Sequence, residues 1–319
     1  MINRMTMSSG TPRRPIMTSP CVFRGDSPNS ITPVWISRLA LVLAGWVLLT
    51  QPPAFAQFSS STTGVEVYAT VNDAAGRPVR GLTMSDFEVL EDGVGQSISA
   101  FAAGDFPLRV AIALDRSFSM AGEPLKAARD ATRTFLSALR PTDESIVLGI
   151  GSEVTIVAPS TESRDGQRRA VAAIDAWGRT KLNDAVVDAI GATDGTRGRR
   201  AVVILSDGDE RDSQTSASDV IDRARRSNVM VYPVGIGKER PSLFAELSTV
   251  TGGRSFYNRD LRTLESTMRT IAEELGHQYL LGYSPSRPLV AGHDEWRAIK
   301  VRVKRSGVTV RARDGYYVK

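Results

Sequence analysis

Cysteine is almost absent. The 319 residues contain one, Cys21, and it lies in a leading segment, so disulfides and thiolate metal sites are excluded for the rest of the chain. The two histidines, His277 and His293, are too few and too isolated to build a zinc triad. No apolar run approaches the roughly 20 residues of a membrane-spanning helix. Nor is there a real excess of charge. The formal +5 comes largely from residues 1–56, which carry five arginines and one aspartate. Without them 35 basic and 34 acidic residues remain, so a basic surface for nucleic acid is unsupported.

The leading segment has its own pattern. Residues 39–49 are uninterruptedly apolar, Arg38 precedes them, and Pro52-Pro53 and Ala54-Phe55-Ala56 follow. A positive flank, a short apolar core and an A-x-A site make a secretory signal, with cleavage expected after Ala56 and a secreted or periplasmic product. The alternative is a membrane anchor formed by residues 39–49, and membrane association is expected only if the signal stays uncleaved. The stretch before the core is long and rich in Ser, Thr, Pro and Arg, so translation starting at Met17 is a further reading. Arg13-Arg14 lies too far from the core for a twin-arginine signal, and Cys21 precedes the core, which excludes a lipoprotein cysteine.

Four segments are expected: a leader over 1–56, an N-terminal β element over 57–106, an α/β domain over 107–276, and a C-terminal β tail over 277–319. Residues 64–71 alternate apolar and polar, as a half-buried strand does. Phe87–Leu90 is a second strand, and a strand pair is expected to close near Ile98–Phe101. From Leu108 the pattern changes to buried runs at 108–114, 146–150, 201–205 and 229–234, separated by helical spacings at 123–139, 165–176, 182–190, 216–227, 243–247 and 260–275. A short edge strand is expected at 154–157 and another at Phe256-Tyr257. Such alternation predicts an α/β fold: a doubly wound, mostly parallel sheet with helices on both faces and right-handed crossovers. In the tail, 279–283 reads as a strand, and 297–303 and 308–312 read as a hairpin about Gly307. This tail is expected to pack with the N-terminal β element as one small module, because the 64–101 stretch is marginal as an isolated core.

The chemistry-bearing residues gather on loops. Asp115-Arg116-Ser117-Phe118-Ser119 follows the strand at 108–114, and sites in open α/β sheets form at the carboxyl ends of strands. Alternate residues of an extended loop point the same way, so Asp115, Ser117 and Ser119 can aim three oxygens at one point while Arg116 and Phe118 point elsewhere. Hard oxygens on a tight loop suit a small hard cation such as Mg²⁺. For this loop alone, capping of the following helix is an equal reading. Thr180, entering a helix, and Asp207, leaving the strand at 201–205, fall at the same edge of the predicted sheet and favour the cation. Asp184 is read as stabilising its helix N-terminus, and Asp209 as a group that supports the ligands from behind or simply faces solvent.

With Thr180 in Gly-Arg-Thr-Lys-Leu-Asn-Asp-Ala and Asp207 in Ile-Leu-Ser-Asp-Gly-Asp, the chain resembles the von Willebrand factor type A domain family over about 107–276. The phrases Asp86–Gly93, Tyr279–Tyr283 and Arg311–Tyr316 resemble the edges of a bacterial secreted subgroup. The resemblance implies a Rossmann-like fold and a metal-ion-dependent adhesion site formed by Asp115, Ser117, Ser119, Thr180 and Asp207 around Mg²⁺ or Mn²⁺. It further implies a binding role in the cell envelope or secreted fraction, with a protein partner presenting an acidic residue to the cation and no small-molecule substrate. Phe118 stands where the family often has glycine, and reads either as an exposed anchor for a partner or as a side chain packed under its loop.

Two other functions are weighed. A metal-dependent hydrolase would use the same cation to activate water, but no general base lies near the motif. A structural envelope protein with a vestigial site is the third reading. Dinucleotide binding is not supported, since Gly149-Ile150-Gly151 and Gly235-Ile236-Gly237 each lack the third glycine and a helix start. Gly149–Glu153 is not a nucleophile elbow either, and no nucleophile is paired with a base, so no enzyme activity is expected.

Overall fold

The computed structural model describes residues 64–318, apart from 105, 196, 197, 291 and 293. The leader, its expected cleavage site and His293 lie outside the described residues. Four strands come first: β1 (Val65–Asp73), β2 (Phe87–Glu91), β3 (Val94–Gln96) and β4 (Ile98–Ala103). The α/β part then runs β5 (Leu108–Asp115), α1 (Glu123–Ala138), β6 (Glu144–Ile150), β7 (Val154–Ala158), α2 (Arg164–Ala172), α3 (Leu182–Gly191), β8 (Arg199–Ser206), α4 (Ala217–Arg226), β9 (Met230–Ile236), α5 (Ser242–Thr251), β10 (Phe256–Asn258) and α6 (Leu264–Gly276). The chain closes with β11 (Gln278–Tyr283), β12 (Trp296–Val303), β13 (Val308–Arg311) and β14 (Gly315–Tyr317).

The buried runs form a six-stranded sheet in the order β10-β9-β8-β5-β6-β7, parallel except for β7, which turns back beside β6. Strand β5 is central. Its period of two divides the core, because successive side chains leave opposite faces. Val110, Ile112 and Leu114 pack with α1 and α6 through Phe135, Met268 and Ile271, whereas Ala111 and Ala113 pack against α3 through Ala185 and Ala189. Small residues on both sides let α3 lie close to the sheet. The fold is the doubly wound, mostly parallel one that the alternation predicts.

Three helices differ in length from the sequence expectation; α6 begins at Leu264 rather than at 260, after a 3-10 turn over Leu261–Thr263. Helix α2 stops at Ala172 rather than at 176, and the Arg129 guanidinium donates to the carbonyls of Ala172 and Ile174 at 3.2 and 2.8 Å, closing the helix end. Helix α5 runs past Leu247 to Thr251 and ends at Gly252, which is left-handed at φ 76°. A Cβ on Gly252 would sit 2.4 Å from the Ala312 carbonyl carbon, so the close approach of the tail also requires glycine.

Strands from both flanks form two four-stranded sheets, β13-β1-β11-β4 and β14-β12-β2-β3. Their facing sides share one core that includes Val67, Val71, Phe87, Val89, Tyr279, Leu281, Tyr283 and Ile299. Two sequence expectations are corrected here. The strand at 87–90 does not close with 98–101. Asp92 and Gly93 both have positive φ, 48° and 83°, as a two-residue hairpin turn requires, so β2 pairs at once with β3 while β4 joins the other sheet beside β11. The expected hairpin of 297–303 with 308–312 is absent as well. Strand β12 pairs with β2 and β14, and β13 crosses to β1, so the chain changes sheet at Gly307 and satisfies an edge in each layer.

The β12 alternation puts Arg297 on the inner face, where it is 1% exposed. It pairs with buried Glu91 at 3.2 Å and donates to the carbonyls of Arg287 and Pro288. The Tyr283 and Tyr316 hydroxyls both donate to the other Glu91 oxygen at 2.8 Å. Burial first, then this donation, pushes both phenols above their ordinary range, so they remain donors. A second buried carboxylate, Glu274 on α6, is met by Arg254, Arg311 and the Asn72 amide, which ties α6 to β1 and β13.

Removing one member of a buried pair strands the other charge. Arg297→Ala is therefore expected to lower the unfolding free energy by about 3–5 kcal/mol, read from denaturant midpoints. A loss under about 1 kcal/mol would show that Glu91 is satisfied without Arg297.

Candidate metal centre

The site starts from the position of β5. Being central, it ends between the carboxyl ends of β6 and β8, and its last residue, Asp115, is fully buried. One Asp115 oxygen accepts the Ser117 N–H at 2.9 Å, a side chain closing its own turn two residues on. The other accepts the Ser206 hydroxyl at 2.6 Å from the end of β8. The Arg116 N–H donates to the Ile150 carbonyl at the end of β6. Both neighbouring strands therefore hold the loop.

Beyond Asp115 the chain makes one short 3-10 turn, Phe118–Met120, anchored by fully buried Met120. The Ser117 and Ser119 hydroxyl oxygens lie 3.0 Å apart. The residues between and before them turn elsewhere. Phe118 is 65% exposed, which settles its two readings in favour of exposure. The Arg116 guanidinium lies over the Trp177 ring at 5.6 Å from its centroid, so it is stacked rather than simply solvated.

Thr180 arrives on the segment between α2 and α3 and is 2% exposed. Its segment is latched on both sides. Toward the serine loop, the Phe118 N–H donates to the Gly178 carbonyl at 3.0 Å and the Trp177 N–H to the Arg116 carbonyl at 2.6 Å. Toward the loop after β8, the Thr180 carbonyl accepts the N–H groups of Arg211 and Asp212. Gly178 has φ 79°, and a Cβ there would lie 2.6 Å from the Ser152 nitrogen, so the turn needs glycine. Among the described residues no hydrogen bond is made by the Thr180 hydroxyl.

Asp207 follows β8, and one of its oxygens accepts the Asp209 N–H at 3.1 Å. Its charge reaches Asp115. Burial is the largest influence raising the Asp115 carboxyl above its ordinary value, and Asp207 adds to it, against hydrogen bonds from Ser117 and Ser206. The two acids are thus neighbours that repel, with no cationic side chain paired to either among the described residues.

Asp184 and Asp209 stand apart from this group. Asp184 accepts the N–H groups of Gln214 and Thr215. Burial pushes its carboxyl up, but these bonds outweigh it and hold the group below its ordinary value. Asp209 is paired with Arg211 at the surface. His277 sits at the end of α6 with Nδ1 2.8 Å from the Glu273 carbonyl.

Two residues of the site escaped the sequence reading. Ser206 was the more legible: Leu114 pairs with Leu205 in the parallel register of β5 and β8, which sets Ser206 beside Asp115. Glu210 accepts the Asn183 N–H at the start of α3 at 2.7 Å, and also the Asp212 and Ser213 N–H groups and the Ser213 hydroxyl. It holds the Asp207 loop against α3, and nothing in its spacing marks it.

The donor set fits a hard divalent cation. It offers two carboxylates and three hydroxyls, all oxygen, with a desolvated carboxylate that has no countercharge. Among the described residues no group of three or more His, Cys, Asp or Glu could hold a metal, so a cation here depends on the hydroxyl donors.

Comparison with known proteins agrees with this architecture. The von Willebrand factor type A domain model matches residues 110–270. Human inter-alpha-trypsin inhibitor heavy chain H4 is 24% identical over 163 residues, 46% of this chain and 18% of its own length. The chain therefore spans under a fifth of that curated relative. Among solved structures, a von Willebrand factor type A protein from Catenulispora acidiphila superposes with a TM-score of 0.48 at 14% identity, covering 81% of this chain and 74% of its own. Proximal thread matrix protein 1 from the mussel byssus gives a TM-score of 0.50 at 13% identity, covering 58% of this chain and 51% of its own. The likeness to the byssus protein, at 13% identity, shows the fold alone. The family match covers half of the chain, and the chain belongs to the von Willebrand factor type A domain family.

Proposed function

We propose that this protein is a metal-dependent protein-binding module of the cell envelope or secreted fraction. Asp115, Ser117, Ser119, Thr180 and Asp207 would hold Mg²⁺ or Mn²⁺, and a partner protein would supply a carboxylate to the cation. One observation carries the reading. The buried acids among the described residues are Glu91, Asp115, Asp143 and Glu274. Glu91 is met by Arg297, Asp143 by Arg140 and Glu274 by Arg254 and Arg311. Asp115 alone has no cationic side chain, and it is the one flanked by serine hydroxyls and a second aspartate.

The donor set also argues for what the cation would do. Three of the five donors are neutral hydroxyls, so two carboxylates face a double positive charge with little surplus electron density. When bound, such an ion attracts a further carboxylate in place of water. The chain's residues supply the rest: Ser206 orients Asp115, and the Thr180 segment joins the serine loop to the Asp207 loop.

A binding role is favoured over hydrolysis because no histidine among the described residues stands on the loops that carry the candidate ligands. Among the described residues the one histidine, His277, is engaged at the α6 carbonyl end. Secretion is supported by the leader, with residues 39–49 as signal core and cleavage after Ala56; the alternative is an anchor formed by 39–49. No helix among the described residues is long and apolar enough to cross a membrane. The near balance of charge outside the leader supports a partner other than nucleic acid.

Calorimetry with Mg²⁺ tests the reading. Saturable binding is expected in the wild type and none in Asp115→Ala or Asp207→Ala. Binding that survives both substitutions would place the cation elsewhere. Ser206→Ala removes the hydroxyl that orients Asp115, and is expected to weaken Mg²⁺ binding about 10-fold or more, as loss of an outer-shell partner does. An unchanged affinity would show that Asp115 is oriented without it.

A further inference from the structure

Two loops of the candidate metal centre each expose an aromatic side chain. Phe118, between Ser117 and Ser119, is 65% exposed, and Trp177, on the segment that leads to Thr180, is 43% exposed. Among the described residues they are the aromatic members of the exposed large apolar set; Met84, Val94, Ile156 and Val290 are the others. Single exposed apolar residues are ordinary on protein surfaces. These two stand on segments that are bonded to each other.

Both rings sit on fixed backbone. Phe118 opens the turn that Met120 anchors in the core. Two backbone hydrogen bonds, Phe118 N–H to Gly178 and Trp177 N–H to Arg116, hold the two segments side by side. The Trp177 ring is covered on part of its surface by the Arg116 guanidinium and packs on Gly151, where a Cβ would come within 2.9 Å of a ring carbon. Rigid aromatic surface of this kind loses little conformational entropy when a partner covers it.

We propose that Phe118 and Trp177 form an apolar subsite beside the cation, and that the partner is a protein segment carrying a bulky apolar side chain two positions from its acidic residue. The inference rests on the metal-dependent reading of the same site. The occupant follows from continuity with that site. Phe118 is bonded on both sides to candidate ligands and its ring turns out to solvent, so a chain whose carboxylate reaches the cation crosses the rim on which the ring stands. In an extended segment, residues two apart share a face at about 6.6–6.8 Å spacing, which presents an acid to the cation and an apolar side chain to the rings together.

The probes are two end-blocked pentapeptides. One has aspartate at its centre and phenylalanine at both ends, spaced by single glycines, and the other has alanine at both ends. Their dissociation constants are measured by ligand-observed NMR on the purified protein in saturating Mg²⁺ and again in chelator. In Mg²⁺ the phenylalanine peptide is expected to bind about 10-fold tighter than the alanine peptide, the effect of partly burying one ring. In Phe118→Gly that ratio is expected to fall toward one, while Val94→Ala, an exposed apolar position on β3, keeps it. Equal affinities in the wild type, a ratio untouched by both Phe118→Gly and Trp177→Ala, or an equal fall in Val94→Ala would overturn the subsite while leaving the metal reading standing. Absence of binding by either peptide, or binding that persists in chelator, would overturn the metal reading and the subsite with it.

Discussion

A fully buried carboxylate without a positive partner is the constraint around which the α/β part is arranged. Asp115 ends the central strand of the sheet, where an ionised group is costly unless it is well compensated. Its hydrogen bonds come from Ser117 and Ser206, and they do not offset the burial and the nearby charge of Asp207. The contrast with the other buried acids gives this weight. Glu91, Asp143 and Glu274 each sit against arginine, so every other buried acid among the described residues is held by a positive charge. At Asp115 the chain leaves hydroxyls and a second acid instead.

The rest of the fold holds that arrangement in place. The Thr180 segment is bonded to the serine loop on one side and to the Asp207 loop on the other, and Glu210 fixes the latter to the start of α3. The flanking sheets brace the opposite side of the structure. Glu274 ties α6 to β1 and β13, while Glu91 and Arg297 lie in the core that the two sheets share. These networks serve a different purpose: Glu91 joins the two flanking sheets to each other, and Glu274 joins one of them to a helix of the central part.

The central fold was legible because its signals are local. Apolar runs such as Val202–Leu205 have one reading when helical spacings separate them, and the aspartate and serines after β5 stand at the strand end where sites form. What sequence alone did not yield depended on partners distant along the chain. Strand β12 alternates as a hairpin strand would, but its pairing with β2 is decided by the Asp92-Gly93 turn and by the inward Arg297, which needs Glu91 from more than two hundred residues away. Ser206 becomes visible only once the register of β5 and β8 is known, and Glu210 only once its loop is folded against α3. The exposure of Phe118 likewise depends on the loop being pinned by Met120 and Gly178.

The most direct measurement is anomalous X-ray diffraction from crystals of the protein grown with Mn²⁺. The account predicts one strong anomalous peak among the side-chain oxygens of Asp115, Ser117, Ser119, Thr180 and Asp207. A peak at any other place, with none within bonding distance of Asp115, would contradict it.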